Sequence, residues 1–556
     1  LRPGTYRVEV NAAGFKKYLQ NIELRVQQFA TVDVALEIGE ASQSIEVRDQ
    51  VPLLDATTSS LSQTVENRQV TELPSNGRNP LAFVSLTPGI RLQAFAGQNL
   101  ATTNWTGWGN FSINGGISNS NEILVDGAPV TMAELNNPVY IPPVDAVQEF
   151  RVQTNNFSAE FGRSSGGVVN ISIKSGTNGV HGNLYEFLRN RPLNANDYFQ
   201  NRVGKPRPAL AYNQYGGSVG GPIVRNKSFF FINLESFRQR LGQSLTTTVP
   251  TALQRAGDFS QDRNSSGASI SIGDPLTTAR NPDGSYSRQA FPSNTIPSNR
   301  INPVAKNIMN VLWPLPNAPG QAFTNVNNFV TSASVASDSD QGVIRIDHNI
   351  NNKWKLFGTY SHQYYTPGQF DAFGNKTTIV DVASDTKRIQ NAVVAATAVL
   401  SPTLVGEFRT AFVRFALDRK PLTLGYDLTS LGFPKSLVDQ LQFLAFPAIT
   451  VVGVQGLHNS TSSVIPRYSN NWSESGSLTW IKGGHALKIG AQYRVLQLND
   501  LQNNQGTPTF NFDARFTSTN PLQTTATSGV GFGSYLLGYP SNASVSKVQA
   551  LADQRW

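Results

Sequence analysis

The chain has 556 residues, of which 15% are charged and 10% aromatic, and Lys+Arg exceed Asp+Glu by 45 − 37 = 8. No Lys/Arg-rich run concentrates that excess, so a nucleic-acid footprint is not supported, and the absence of cysteine excludes disulfides, thiolate zinc sites and a cysteine nucleophile. Gly (46) and Pro (31) are frequent and aromatics recur along the whole length, which suits strands joined by turns and polar loops rather than low-complexity disorder.

Residues 1–39 read as three short strands. Thr5-Tyr6-Arg7-Val8-Glu9-Val10 alternates, as do residues 22–26 and 30–38, and Pro3-Gly4 and Ala13-Gly14-Phe15 are turn signals. Three such strands cannot bury a core alone, so this stretch is expected to be the end of a β-sandwich whose beginning precedes Leu1. The run from Pro3 to Val10, followed by Gly14-Phe15, resembles the carboxypeptidase-regulatory-like domain. That resemblance implies an immunoglobulin-like, carbohydrate-binding-like fold with no catalytic role. Residues 40–64 form a linker with a strand-like Ile45-Glu46-Val47 and a Ser/Thr-rich stretch at 55–64.

Residues 65–179 mix patterns. A short helix is expected at 69–73. Ile123-Leu124-Val125 followed by Asp126-Gly127 predicts a hairpin, because Asp-Gly readily takes the two positive φ angles of a type I′ turn. A strand over 168–173 is entered through Gly166-Gly167. The combination of Asn114-Gly115-Gly116, Asn121 to Gly127, Ser158-Ala159-Glu160-Phe161-Gly162-Arg163, Gly166-Gly167-Val168-Val169-Asn170 and Lys174-Ser175-Gly176-Thr177-Asn178 resembles the plug of TonB-dependent receptors of the Oar-like kind. Phe187-Leu188-Arg189-Asn190 matches the start of the barrel in the same family. The resemblance implies a small α+β plug at 65–179. Its motif residues, Asn114, Gly115, Asn121, Asp126, Gly127, Glu160, Gly162, Arg163, Gly166 and Gly167, carry a structural role. It also implies a TonB-type energising partner gripping a segment near residues 44–53, an unknown ligand, outer-membrane lipid around the barrel, and no cofactor.

From residue 180 to 556, strand-like segments are joined by connections that alternate short and long. Segments 212–224 and 228–240 flank a three-residue turn, and a connection of about 100 residues follows, to 341. Pairs 342–348 with 354–364, 388–400 with 403–417, and 469–481 with 485–498 repeat the rhythm, and a tenth strand is expected near Val545. Short turns on one rim and long loops on the other mark an outer-membrane barrel. The strands alternate: Leu487, Ile489, Ala491, Tyr493 and Val495 share one face, and Lys488, Gln492 and Arg494 the other. Trp354, Tyr364, Trp472 and Trp480 stand at strand ends, where an aromatic girdle requires rings. The apolar runs 392–400 and 443–454 are too short for a spanning helix of about 20 residues. Nine or ten strands close only a narrow pore with no room for an enclosed domain, so the chain is expected to continue past Trp556, as the first half of a barrel.

Other patterns carry less. Gly162-Arg163-Ser164-Ser165-Gly166 fits a nucleophile elbow, but a strand rather than a helix follows it. The five histidines show no metal-ligand spacing. Residues 262–267 begin like a calcium loop, yet the twelfth position is Gly273 rather than Glu. The pairs Gly216-Gly217 and Gly220-Gly221 predict close backbone approach where the first barrel strands pass the plug. The leading expectation is an energised outer-membrane transporter of a siderophore, carbohydrate, peptide or exported protein. The alternatives are a surface adhesin or structural barrel without energised transport, and a soluble carbohydrate-binding β protein.

Overall fold

A computed structural model describes residues 4–24, 32, 34–39, 44–47, 60–73, 77–92, 111–132, 135–196, 198–202, 204, 207–378, 384–457, 464–503, 506–548 and 552–555. Near the N-terminus, β1 (Gly4–Val10) pairs antiparallel with β2 (Lys17–Leu24) across the left-handed Gly14. The third strand of this sheet is β3 (Ser44–Val47), parallel to β2 and drawn from the expected linker. Of the strand expected at 30–38, the described residues show one isolated bridge, Ile38 to Phe15. The rest of the expected partner segment, residues 48–53, lies outside the described residues.

The next unit is a compact five-stranded sheet. Its strands are β4 (Leu61–Glu66), β7 (Glu122–Val125), β8 (Ala128–Pro129), β9 (Val147–Asn155) and β10 (Val168–Ile173), in the order β4-β9-β10-β7-β8. A separate pair, β5 (Ile90–Leu92) and β6 (Phe111–Ile113), lies beside it. The six-residue helix Asn67–Glu72 is fixed by a capping box in which Glu66 and Gln69 satisfy each other's backbone N–H groups. Every residue of β7 and β10 is buried, as befits the parallel pair at the centre of the sheet. The β7–β8 turn has Asp126 at φ 50° and Gly127 at φ 76°, the paired positive angles read from the Asp-Gly dipeptide.

A ten-stranded antiparallel sheet follows, in sequence order. Its first strands are β11 (His181–Asn190), β12 (Leu210–Val224) and β13 (Ser228–Thr247). The connection 248–328 carries the two-residue strands β14 (Ala279–Arg280) and β15 (Tyr286–Ser287). The sheet resumes with β16 (Phe329–Asn349), β17 (Trp354–Thr366), β18 (Ser384–Ser401) and β19 (Leu404–Lys420). After β20 (Ala448–Val451), which lies outside it, come β21 (Ile465–Lys482) and β22 (His485–Asp500). Beyond β23 (Thr509–Phe512) and β24 (Asn542–Ser544), β25 (Ala552–Arg555) is the tenth strand; the region near Val545 belongs to the small sheet β20-β23-β24 instead. Short connections (225–227, 350–353, 402–403, 483–484) alternate with long ones (191–209, 248–328, 367–383, 421–464, 501–551).

The faces of this sheet differ as the alternation predicts. Leu184, Leu234, Ile344, Phe408, Ile489 and Tyr493 are exposed on one face, together with Trp354, Tyr364, Trp472 and Trp480. The opposite face is covered by the five-stranded unit, whose apolar core runs on into Phe231, Val343, Ile389, Val413, Phe415 and Leu417 of the sheet.

The long connections are folded. The helix Pro303–Leu312 starts from Asn302, whose side chain accepts from the N–H groups of Val304 and Ala305, and it buries Ala305, Ile308, Met309 and Leu312 on one stripe. The helix Gly531–Leu537 is buried at every residue and stops at Gly538, whose φ of 74° suits glycine. These elements share a second apolar core, separate from the first, with Val249, Phe291, Phe446, Leu457 and Phe512.

Candidate functional site

The chemistry of the chain concentrates where the five-stranded unit meets the inner face of the large sheet. The Asp126-Gly127 turn projects the Asp126 carboxylate onto that wall. Arg345 Nη1 donates to Asp126 Oδ1 at 3.0 Å, Thr359 Oγ1 donates to Oδ2 at 2.8 Å, and the Ile173 N–H donates to Oδ1 at 3.0 Å. Arg345 also donates to Asp347 through Nε and Nη2, and Ser175 Oγ donates to Asp347 at 2.5 Å. The guanidinium sits 4.1 Å from the Phe357 ring centroid. All three charged side chains are buried, where an ion is tolerated only when paired and fully hydrogen-bonded.

A second cluster forms around Arg78, held at φ 49° beside Gly77. Arg78 Nη2 donates to Asp145 at 2.5 Å and Nη1 lies 3.5 Å from Glu235 of β13. The guanidinium is 4.4 Å and 4.2 Å from the ring centroids of Tyr185 and Phe187 on β11. Tyr185 donates its hydroxyl to Glu235 at 2.8 Å, and Asn183 donates to Asp145 at 2.6 Å. Beside it a small cleft opens between Arg78 and Pro143 on the unit and Gln214, Gln341, Gln363 and Tyr365 on the wall. On the far side of the unit, β22 supplies Arg494 to Glu122 and Lys488 to Glu160, the latter at 2.8 Å. Asn471 of β21 donates to the Thr131 carbonyl. Between these ionic margins the contact is apolar: Ala128 packs with Val393 and Ala411.

The motif residues divide into two kinds. Asp126 and Glu160 reach the wall directly. The others shape the unit that presents them. Asn114 (φ 51°) and Gly115 (φ 78°) make a turn, and Asn114 Nδ2 donates to the Thr154 carbonyl at 2.9 Å. Asn121 is buried and donates to the carbonyls of Phe111 and Ser118. Gly166 and Gly167 are required by space: a Cβ at Gly166 would lie 2.3 Å from Asn121 Oδ1, and one at Gly167 would lie 2.6 Å from the Gln153 carbonyl. Gly127 runs against the Arg409 guanidinium, 2.7 Å from where its Cβ would be. Gly162 and Arg163 lie in the turn between β9 and β10, with open space around Gly162. In the same turn Ser164 spends its hydroxyl on the carbonyls of Ser120 and Gly167, and no helix follows it.

The glycine pairs on β12 lie at a close approach. A Cβ at Gly220 would lie 3.4 Å from Gly176 Cα, on the segment leaving the five-stranded unit, and one at Gly216 would lie 2.3 Å from the Leu234 carbonyl. The turn at 262–267 is stabilised by Asn264, whose Oδ1 accepts from Ser266 and Ala268, and Asp262 accepts from Gln254.

Sequence reading missed the wall partners Arg345, Asp347 and Glu235, and also Arg78 and Asp145. A usable signal existed: Arg345 and Asp347 alternate with the exposed Ile344 and Ile346, so parity alone turns both charges inward.

Comparison with known proteins agrees with this geometry. The outer membrane beta barrel domain family matches residues 172–556. The TonB-dependent transporter Oar of Myxococcus xanthus is 24% identical over 244 residues, covering 42% of this chain and 22% of that protein. Among solved structures, the outer membrane transporter YddB from Escherichia coli aligns with a TM-score of 0.49 at 10% identity, covering 81% of this chain and 50% of that one. The ferric-catecholate import receptor Fiu from Escherichia coli aligns with a TM-score of 0.40 at 11% identity, covering 90% and 66%. The chain thus spans about a fifth of the curated relative and half of the first of these solved structures.

Proposed function

The chain belongs to the outer membrane beta barrel domain family, and from that premise we propose that it forms the plug and wall of a TonB-dependent transporter in the outer membrane of a Gram-negative-type bacterium. Residues 65–179 are the plug, and the strands from β11 onward are the wall. The observation that carries this reading is the seam between them. A separately folded unit covers the inner face of the sheet and is seated there by ion pairs, the buried Asp126 with Arg345 and the partly buried Glu122 with Arg494, while the outer face is apolar. Charged residues turned inward and apolar residues turned outward are what a wall between lipid and a filled lumen requires.

A TonB-type partner acts on the segment around residues 44–53, upstream of the plug, and withdraws or rearranges the plug to open a path. The cargo is one of the four classes named above. β1 to β3 form the end of the carboxypeptidase-regulatory-like domain.

The full-length protein tests the reading without a known cargo. In a planar bilayer in potassium chloride the intact protein should pass little current, and deleting residues 65–179 should open a large steady conductance. Equal current from the two proteins would overturn the plug assignment. Deleting residues 44–53 should leave the closed state unchanged and abolish binding of the purified periplasmic domain of a TonB-type protein. Retained binding would remove that segment from the mechanism, and failure of the intact protein to bind that domain would favour the adhesin or structural barrel.

A further inference from the structure

The described parts of three long connections, 248–328, 421–457 and 506–548, are tied to one another pairwise. The first meets the third through Trp313, whose ring lies 5.1 Å from Tyr535 and 6.0 Å from Phe532, both nearly perpendicular. Tyr535 also donates its hydroxyl to the Ala305 carbonyl at 2.8 Å. The first meets the second where Trp313 Nε1 donates to the Gln455 carbonyl at 2.8 Å. The second meets the third through the parallel pairing of β20 with β23, from Ala448↔Thr509 to Val451↔Phe512. Each connection is one corner of a closed triangle around the second apolar core, and each pairwise contact is a side.

We propose that these three connections are a single lid on the long-loop side of the barrel, opening and closing as one body rather than loop by loop. Withdrawing any one of them breaks two sides of the triangle. Withdrawing the first or third splits the Trp313–Tyr535 cluster, and withdrawing the second or third leaves β20 or β23 without its partner, a loss that buried backbone groups tolerate poorly. Moving the body whole breaks neither. The lid is rooted on the longest arm of the sheet: Phe329, which pairs with Thr247 at the end of the β13–β16 ladder, is part of the lid core. The inference goes beyond the transport reading, since the cohesion of the connections is a property of their own contacts. Its failure would leave the plug assignment standing.

Hydrogen exchange with mass spectrometry on the full chain in detergent micelles tests it. Tyr535→Ala removes the third connection's direct contacts with Trp313 and Ala305 of the first, so residues 448–451 of the second are the discriminating readout. The expected result is exchange at least tenfold faster in 531–537, 303–312 and 448–451 together, with β7, β10 and the β16–β17 ladder unchanged. Faster exchange confined to 531–537 and 303–312, with 448–451 unchanged, would overturn the single body. Trp313→Ala supplies the reciprocal test and should loosen 531–537 and 448–451 to the same degree. Should either variant fail to fold, Tyr535→Phe removes only the hydroxyl bond and must still raise exchange in 303–312 and 531–537 in common. A rise on one side alone counts against the lid.

Discussion

Two buried regions among the described residues differ in chemistry. The lid core is aromatic and aliphatic, with Trp313, Phe532 and Tyr535 at its centre. The seam between the five-stranded unit and the wall adds Arg345, Asp126, Asp347, Arg78, Glu235, Glu122 and Arg494 to an apolar contact that runs through Phe231, Val343, Ile389 and Val413. Burying apolar area favours cohesion in proportion to area and is indifferent to exact register. A buried ion pair adds little net stability, because desolvation offsets most of the attraction, but it is satisfied in one position only. The lid core therefore supplies cohesion and the seam supplies seating. On the proposed mechanism the five-stranded unit leaves its place and returns to it, and it is better served by the second.

That contrast can be broken or sharpened. Arg345→Ala should have the largest effect. It strands two buried carboxylates and should cost the seating of the plug about 3–5 kcal/mol, read as faster exchange in β7 and β10 with the lid unaffected; unchanged protection there would mean the apolar contact does the seating. Phe532→Ala should cost about 3–4 kcal/mol of lid stability, with no change at β7 or β10 by the same measurement. Gly167→Ala drives a Cβ into the Gln153 carbonyl and should lower plug stability by about 1–3 kcal/mol; a neutral outcome in thermal unfolding would show that β9 and β10 can separate.

The lid should also respond to pH. Burial pushes the Asp262 carboxyl up to about 6, against the hydrogen bond from Gln254. The folded lid binds that proton more tightly than the unfolded chain does. Its contribution therefore grows as pH falls from about 6 towards 4 and is lost as pH rises through 6. Asp274 is held below its ordinary value by its hydrogen bonds from Arg300, so its contribution runs the other way and is lost on further acidification. Lid exchange, corrected for intrinsic rates, should be slowest in mildly acid solution, and Asp262→Asn should flatten the change between pH 6 and 4. The smallest effect belongs to Lys488→Ala. Its pair with Glu160 is partly exposed and should contribute no more than about 1 kcal/mol; a larger loss of plug protection would promote this margin to the rank of the Arg345 cluster.

What the sequence revealed, and what it hid, follows from where each residue sits. The wall was legible because lipid on one side imposes a strict parity, visible at 487–495. That parity fades above the lipid, where both faces meet water. β13 runs on to Thr247 rather than ending at residue 240, and β16 begins at Phe329 rather than 342, through Thr331, Ser332, Ser334, Ser337, Asp338 and Asp340, which carry no apolar alternation. The Asp126-Gly127 turn was legible because two positive φ angles admit few residue types. The folding of the long connections was not, since core residues as scattered as Val249, Phe291, Phe446 and Tyr535 follow no helical or strand period. The wall partners of the plug stayed hidden because an inward charge on a strand does not say which distant turn it meets.

The 21 residues of β16 have one more consequence. A strand of that length is roughly 70 Å long, and at a tilt of about 40° it rises roughly 50 Å, about twice the height of the apolar band. The β13–β16 hairpin is therefore a mast. It carries its apex well clear of the lipid headgroups, so an epitope placed at Pro282 and Asp283, which are exposed, should be reachable by antibody on intact cells where a tag in the turn 350–353 would not.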